Sequence, residues 1–465
     1  ILALEAHVLA LLQSNLISKQ IASNILTALE EAYNAFEEGK FVLKQELEDV
    51  HTNVESFVLE RAGEIAGGYM SMARSRNDLI QVDTRMYMRD EVLNLAEKMV
   101  DLLNALILKA EKNIRTIIPA YTHLRQAQPT TAAHWLLAYF DSFLRDLTRL
   151  LEFYERIDYC PLGAAAVSGT TLPIKRDVPA RLLGFKGIQE NTLDVSSSRG
   201  EFEAELLSIL SLISIHLSRI SEELIIWSTS EFGFIELGEE VTFESSLMPQ
   251  KRNPDPLEII RAKSGQIIGN LINILMVLKA LPMGYNRDTQ ECKRPLITSV
   301  NEVKDLIESL KRILLTVRFN EEEILRKIKV DELTATDLAE YLAIKHKLPF
   351  RKAYRIVAKA VNLTREENSI RGRVSQIATI IHQELGIPLS EIKNVLDLER
   401  SIRKRDHAGG PSPKEVNRMI LNRKKKLLTI KKRIKTLKKR NEHIYLSLRE
   451  KARNLIMEGD VELRY

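Results

Sequence analysis

The segment EAELLSILSLISIHLSRISEELIIW, residues 203–227, is apolar on nearly every face of a helix. A helix that is apolar all round is buried on most of its sides. At about 1.5 Å per residue, a helix of this length suits a long bundle better than a compact globule. The segment therefore predicts an all-α protein built on long, packed helices.

Composition supports the same fold class. The 465-residue chain has only 19 glycines and 14 prolines, and Leu, Ile, Glu, Lys and Arg dominate, which favours helices over strands. The formal charge of +5 is too small over this length to indicate nucleic acid by itself. Cys160 and Cys292 are far apart and lack metal-ligand spacing, so we predict a reducing compartment, the cytoplasm.

Three helical domains are predicted from the changes in apolar pattern along the chain. Residues 1–73 form an amino-terminal domain, residues 74–330 a central long-helix bundle, and residues 331–465 a smaller carboxy-terminal domain. The run IIGNLINILMVLKALPMG (267–284) is too short and too polar to span a bilayer, so no membrane partner is expected. Because Ile1 already lies in a helical pattern, we expect a further segment to precede it. Irregular segments are predicted at 70–78, 120–131, 160–177 and 244–258.

A lysine-rich segment, NRKKKLLTIKKRIKTLKKR (422–440), carries the strongest run of charge. It predicts an amphipathic helix packed on an apolar stripe, with a solvated basic face. An RNA surface is the alternative interpretation, but no aromatic residue interleaves there to stack on bases. We therefore favour the packed helix over a nucleic-acid partner. The predicted stripe consists of Leu427, Leu428, Ile430, Ile434 and Leu437.

The segment ESSLMPQKRNPDPLE (244–258) combines reactive and cationic side chains with three prolines. Asn253 is a candidate helix cap, and Pro254 suits the first turn of the helix that follows. The free N–H groups of that helix and the Lys251 ammonium would attract a carboxylate and stabilise a Ser245 oxyanion. Glu258 lies one turn into the helix, where it could orient a histidine.

Two further loops supply complementary groups. YTHLRQAQP (121–129) contains His123, and ARSRND (73–78) contains two arginines that could clamp a dicarboxylate. No P-loop, dinucleotide fingerprint or zinc motif occurs in the sequence. Acid–base chemistry by side chains on an anionic substrate is therefore predicted.

Together these segments resemble the fumarase/aspartase superfamily and, within it, the argininosuccinate lyase family. SSLMPQKRNPDPLE resembles the superfamily signature loop, and the resemblance runs from near the first residue to about residue 420. The argininosuccinate lyase blocks are, in order, EDVHTNVE (48–55), RSRND (74–78), YTHLRQAQP (121–129), PLGAAAVSG (161–169), LPMGYNRDTQECKRPL (281–296) and TATDLAEYLA (334–343).

The resemblance implies a fold, an assembly and a reaction. The fold has three domains, and the central helices of four subunits pack into one bundle, so that each active site is built from three subunits of a homotetramer. The reaction is the reversible elimination of argininosuccinate to arginine and fumarate, without metal or organic cofactor.

The resemblance also implies a role for individual residues. Ser245 removes the proton β to the leaving nitrogen, Lys251 and Asn253 stabilise the resulting carbanion, and His123 with Glu258 protonates the leaving group. Substrate-binding roles are implied for Asp49, His51, Arg76, Asn77, Thr122, Arg199, Tyr285, Gln290 and Lys293.

Two departures from the family pattern lie beside these residues. The family has His-Thr-Gly where this chain has Ser71-Met72-Ala73, and an Arg-Asp pair where this chain has Arg199-Gly200. Both departures affect the wall of the expected binding site.

Two alternative functions remain open. Adenylosuccinate lyase is the nearest alternative, because AQPTT (127–131) favours that family. RSRND (74–78) and YNRDTQECK (285–293) instead favour the argininosuccinate lyase family. A non-catalytic, crystallin-like relative is the second alternative. The joint presence of Ser245, His123, Lys251 and Glu258 argues against it.

Overall fold

The computed structural model describes residues 1–364 and 370–462, and in them α-helices dominate while β structure is limited to short two-stranded pairs. The all-α prediction is confirmed. The helices are α1 Leu2–Gln13, α2 Lys19–Glu37, α3 Val50–Gly68, α4 Arg76–Lys112, α5 Ala132–Ile157, α6 Asp177–Leu182, α7 Thr192–Ser197, α8 Glu201–Ser228, α9 Asp255–Leu278, α10 Lys293–Thr316, α11 Glu321–Lys327, α12 Val330–Lys345, α13 Phe350–Leu363, α14 Ile370–Leu385, α15 Leu389–Val395, α16 Leu398–Lys404 and α17 Pro413–Glu462.

The strands form four separate pairs. Three of the pairs are antiparallel, and the pair β3–β4 is parallel. The strands are β1 Ile117–Thr122 with β2 Arg125–Thr131, β3 Tyr159–Cys160 with β4 Gly187–Ile188, β5 Ile235–Glu236 with β8 Arg318–Phe319, and β6 Phe243–Glu244 with β7 Arg252–Asn253.

Five long helices, α4, α5, α8, α9 and α10, pack around the largest apolar core. The helix α4 begins with a capping box, in which Ser75 and Asp78 satisfy each other's free backbone N–H groups. As expected, α8 buries most of its faces, but Leu212 and Ile215 remain exposed along one side. These two exposed apolar side chains indicate that the other described helices of the same chain do not cover this side of the bundle.

The bundle has two ends that matter for function. We call the end with the amino termini of α4, α8 and α10 the Arg199 end, and the opposite end the His123 end. Two contacts for each helix pair fix these directions. Glu91–Lys304 and Lys98–Glu308 show that α4 and α10 are parallel. Glu222–Arg261 and the bond from Ser264 to the Ser214 carbonyl show that α8 and α9 are antiparallel. With 37 residues, α4 separates the two ends by about 55 Å.

Two smaller apolar cores accompany the main one, an amino-terminal core built around α1 and α2 and a core within residues 338–396. The last helix, α17, contributes Leu427 and Ile434 to the main core, and Leu448 and Ala452 to the amino-terminal core. The division at residues 73 and 330 stays a prediction, since α17 packs on helices of both preceding segments.

Residues 120–131, expected to be irregular, belong to a β-hairpin instead. Its two-residue turn, His123-Leu124, has positive φ angles of 53° and 56°. Such a turn normally carries Asn-Gly or a similar pair, so His123-Leu124 does not indicate a hairpin.

Three local predictions are wrong, namely the Asn253 cap, the position of Pro254 in the first turn of α9, and the burial of Leu428. Asn253 does not cap α9: the helix begins at Asp255, Pro254 holds the cap position without a side-chain bond, and Asn253 pairs with Phe243. A residue before proline is pushed toward extended backbone, which places Asn253 in a strand. Leu428 is 56% exposed, because it lies one position, roughly 100°, around α17 from the buried Leu427.

Within residues 1–364 and 370–462, the helices are all either too short or too polar to cross a lipid bilayer.

Candidate active site

Ser245 lies in a tight loop, residues 245–251, that joins β6 to β7. We call it the Ser245 loop. The Ser245 N–H donates to the Lys251 carbonyl at 3.0 Å, which closes the loop. The Ser245 hydroxyl oxygen accepts from the N–H groups of Leu247 (3.3 Å) and Met248 (3.1 Å). Two amides aimed at one oxygen stabilise negative charge on it, so the loop favours the deprotonated serine.

The groups around this loop face solvent. Lys251 is exposed, Asn253 is partly buried, and Arg252 bridges the two strands to Glu244 at 3.1 Å. Glu258, one turn into α9, is half-exposed and approaches only Arg261, at 4.0 Å, among the described residues. The loop therefore presents its ammonium outward, while the partly buried Ser245 hydroxyl faces the amides of its own loop.

The His123 hairpin, β1–β2, carries Thr122 and His123 at its exposed tip. Leu124, beside them, is 85% exposed. Left-handed backbone is rare for such residues, and it persists where the surrounding structure or the function requires it. No hydrogen bond or ion pair joins His123 to Glu258 within the described part of this chain.

A second group of predicted residues meets at the Arg199 end. The Arg76 guanidinium contacts Glu48 (2.9 Å), Asp49 (3.6 Å) and the Thr52 hydroxyl (2.8 Å). Asn77 follows Arg76 in the first turn of α4. Asp49 caps α3 through the Thr52 N–H at 2.9 Å, so both helix starts converge on one charged pocket wall.

His51 and Lys293 extend this wall. Burial lowers the pKa of His51, while the nearby Asp83 and Asp49 carboxylates act to raise it. Burial also lowers the pKa of Lys293, and Arg199 lowers it further. A cation whose pKa is lowered by burial and a like charge is stabilised by an incoming anion.

Arg199 is the most enclosed cation of this group, with only 3% of its surface exposed. In the described residues, neither terminal nitrogen of its guanidinium has a hydrogen-bond partner. The Tyr285 ring lies 5.1 Å from it, and Gln290 donates to the Tyr285 hydroxyl at 3.3 Å. The buried Glu203 carboxylate is close enough for the Arg199 charge to act on its pKa, but it makes no hydrogen bond to the guanidinium. A buried guanidinium with unused donors is a strong binding point for an anion.

The two departures from the family pattern have local explanations. Gly200 has a φ of 91°, and a Cβ there would lie 2.7 Å from the end of the Leu278 side chain, so an acidic residue would strain the backbone and displace Leu278. Ser71 donates to Glu55, and Met72 accepts from His7 at 2.9 Å. Ala73 has a φ of 59°, a conformation that suits glycine.

Sequence reasoning missed three residues of the charged wall, namely Glu48, Thr52 and Asp83. Glu48 and Thr52 lie inside the quoted block EDVHTNVE, so that block could have indicated them. Asp83 approaches His51 at 4.0 Å and lies seven residues after Arg76, on the same face of α4.

The predicted site residues thus form two groups. Asp49, His51, Arg76, Asn77, Arg199, Tyr285, Gln290 and Lys293 lie at the Arg199 end, whereas Thr122, His123, Ser245, Lys251, Asn253 and Glu258 lie at the His123 end. With 24 residues, α9 alone separates the Ser245 loop from Tyr285 by about 36 Å. One chain does not bring the two groups together.

Known proteins resemble this chain over nearly its whole length. Residues 2–269 match a family model described as lyase, and residues 332–403 match one described as argininosuccinate lyase C-terminal. The argininosuccinate lyase of Methanothrix thermoacetophila is 41% identical over 91% of this chain and 86% of its own length. That of Alkaliphilus metalliredigens is 44% identical over 77% of each chain.

Solved structures share the fold. An EDDS lyase variant with bound fumarate superposes with a TM-score of 0.89 at 26% identity, covering 99% of this chain and 91% of its own. A class II fumarase from Schistosoma mansoni superposes at 0.71 with 17% identity, covering 85% and 88%. The chain is a lyase, and it belongs to the argininosuccinate lyase family.

Proposed function

We propose that this chain catalyses the reversible elimination of argininosuccinate to arginine and fumarate. The names of its relatives and the fumarate in the EDDS lyase variant support this substrate and product. The observation that carries the mechanism is the Ser245 oxygen facing two backbone amides inside a closed loop.

Ser245 acts as the base in this proposal. It removes the proton on the carbon β to the leaving nitrogen, and the electron pair moves into the neighbouring carboxylate. The amides of Leu247 and Met248 stabilise the serine oxyanion before the transfer. Lys251, exposed beside the loop, stabilises the charge that then builds on the substrate carboxylate.

His123 acts in the second step, in which the carbon–nitrogen bond breaks and the leaving guanidino nitrogen takes a proton. Glu258 orients His123, and the pair forms between subunits, because the two residues do not meet within one chain. The exposure of the hairpin tip and of Glu258 supports this arrangement.

The Arg199 end binds the substrate. Its free cations are the Arg199 guanidinium and the partly buried Lys293 ammonium, which suit the carboxylates of a dianion. The carboxylates of Asp49 and Glu48 already hold Arg76, so Arg76 and Asn77 complete the wall beside them.

Because one small substrate must reach both ends, we infer a homotetramer with shared active sites. The exposed face of α9 supports such an assembly, since it carries Ile272 and Met276, each more than half exposed. Gly265 and Gly269 lie on the same helix with open space around them, which permits close approach of a second helix. The buried free thiols of Cys160 and Cys292 are consistent with the cytoplasm.

Mixing two inactive variants tests the shared site. Ser245→Ala alone loses turnover, and the double variant Arg199→Gln/Lys293→Gln alone loses activity at substrate concentrations far below its raised KM. In mixed tetramers about a quarter of the sites draw both wild-type groups from different subunits and recover activity. Arginine released from argininosuccinate is the readout, and AMP released from adenylosuccinate is measured in parallel. No gain over the separate variants would refute the shared site, and AMP release alone would refute the substrate.

A further inference from the structure

One feature of the molecule plays no part in the elimination reaction. Between Glu415 and Glu442, α17 contains no acidic residue and twelve basic ones. Ordinary protein surfaces intersperse the two signs of charge. The structure divides these twelve bases into two sets of six.

Six of the bases are neutralised by acids of their own chain. These pairs lie at the start of α17 and along its flanks, against α4 and α5. They are Arg418 with Glu415, Arg423 with Asp141 (2.9 Å), Lys424 with Glu111 (2.5 Å), Arg433 with Glu155 (2.8 Å), Lys438 with Glu97 (2.5 Å) and Arg440 with Asp158 (3.5 Å).

The other six have no ion-pair partner among residues 1–364 and 370–462, and all are exposed. They are Lys425, Lys426, Lys431, Lys432, Lys435 and Lys439, and we call them the lysine row. The row covers about 21 Å along the helix axis. Lys425, Lys432 and Lys439 repeat every seven residues, which keeps them on one outward face.

Like charges three and four residues apart on a helix repel each other. Lys431, Lys435 and Lys439 follow one another at this spacing, so the free protein bears a repulsion that a bound polyanion would relieve. A line of ammonium groups on a rigid helix matches the regular phosphates of a nucleic-acid duplex.

A membrane surface fits the lysine row less well. The apolar stripe of α17 is already covered, since Leu427 and Ile434 are buried in the bundle. The outward face offers only Leu421 and Leu428 near the lysines, too little apolar area for insertion. Residues 416–441 also contain no aromatic side chain, which argues against stacking on a single strand.

We propose that the lysine row binds the phosphate backbone of double-stranded nucleic acid, without reading its sequence. The bound surface lies on the outer side of α17 and uses none of the residues assigned to the lyase reaction. Substitutions that abolish nucleic-acid binding should therefore leave lyase turnover unchanged, and substitutions that abolish turnover should leave nucleic-acid binding unchanged.

The test compares two triple variants of the full chain that carry the same change of charge. Lys425→Gln/Lys432→Gln/Lys439→Gln removes half of the row, whereas Lys352→Gln/Lys393→Gln/Lys451→Gln removes exposed lysines elsewhere. Fluorescence anisotropy follows binding to labelled 24-base-pair DNA and RNA duplexes between 50 and 200 mM salt. Vesicles containing phosphatidylserine form a third arm.

We expect the row variant to bind duplexes at least tenfold more weakly at 50 mM salt, and its salt slope to fall by roughly two to three. The control variant, and the conservative Lys→Arg triple of the row, should bind like the wild type. All variants should keep their lyase turnover and thermal unfolding midpoint. Equal loss in the control, failure of the Lys→Arg triple, absence of duplex binding or binding to vesicles alone would overturn the proposal.

Discussion

The charged residues at the Arg199 end are embedded in contacts made by their own chain, whereas the polar residues of the Ser245 loop and the His123 hairpin are exposed. The Arg76 side chain has three partners within 3.6 Å, but the side chains of His123 and Lys251 have no hydrogen-bond or ion-pair partner among the described residues. The Glu48 and Asp49 carboxylates hold the Arg76 guanidinium in place before the substrate arrives. The Ser245 loop and the His123 hairpin instead lack a partner surface among the described residues of the single chain, so we expect another subunit to supply one.

Removing the Ser245 hydroxyl should have the largest effect on turnover, and it should separate the role of the Ser245 loop from that of the Arg199 end. Ser245→Ala deletes the base, so turnover should fall by about 10⁴-fold or more, while substrate binding at the Arg199 end is retained. Fumarate absorbance measures the rate, and calorimetry measures binding. Ser246→Ala, in the same loop, is the matched control and should stay within a few-fold of wild type. A near-normal rate for Ser245→Ala would remove Ser245 as the base.

Loss of the imidazole at the hairpin tip should have the second largest effect. His123→Asn should slow turnover by roughly 10²–10⁴-fold if His123 transfers a proton. Asparagine tolerates the left-handed turn, so the hairpin itself should persist. The control is His443→Asn, an exposed histidine on α17. An unchanged kcat in His123→Asn would exclude the proton-transfer role.

At the opposite end, Arg199→Gln should weaken binding rather than chemistry. Losing a charged hydrogen bond to the substrate should raise KM by about 10–100-fold and leave kcat within a few-fold. Steady-state kinetics separate the two constants. Arg199→Lys keeps the charge and should recover part of the affinity. A fall in kcat at unchanged KM would contradict a role in ground-state binding.

The smallest expected effect concerns the backbone beside Arg76. Ala73→Gly should stabilise the protein by about 0.5–1 kcal/mol, because glycine relieves the positive φ at a smaller entropic cost. The control, Ala358→Gly, lies inside α13, and this substitution should lower the free energy of unfolding by about 1 kcal/mol. Urea unfolding measures both changes. Equal destabilisation by both would show that the turn at Ala73 is unstrained.

Much of this architecture could be predicted because it follows from periodicity. The apolar run at 203–227 indicated α8, and the spacing of Leu427 and Ile434 indicated the packed face of α17. The hairpin turn could not be predicted, since His123-Leu124 adopts angles that neither residue favours. Its conformation is fixed by the pairing of its strands, which is a tertiary property.

The candidate site could likewise be predicted only in part. Motif segments indicated the residue types at Ser245, His123 and Arg199, but no local pattern indicates that they lie at different ends of one chain. That separation depends on the lengths and directions of α4 and α9, which emerge only when the bundle is assembled. Asp83 was missed because its significance rests on its distance from His51.

The return of α17 to the amino-terminal core has a consequence for synthesis on the ribosome. Leu448 and Ala452 fill a core whose other members include Ala3, Leu9 and Ile25. The helices α1 and α2 therefore lack part of their apolar cover until α17 has left the exit tunnel. Premature termination before about residue 445 would leave these helices exposed, which makes truncated products natural clients for chaperones and proteases.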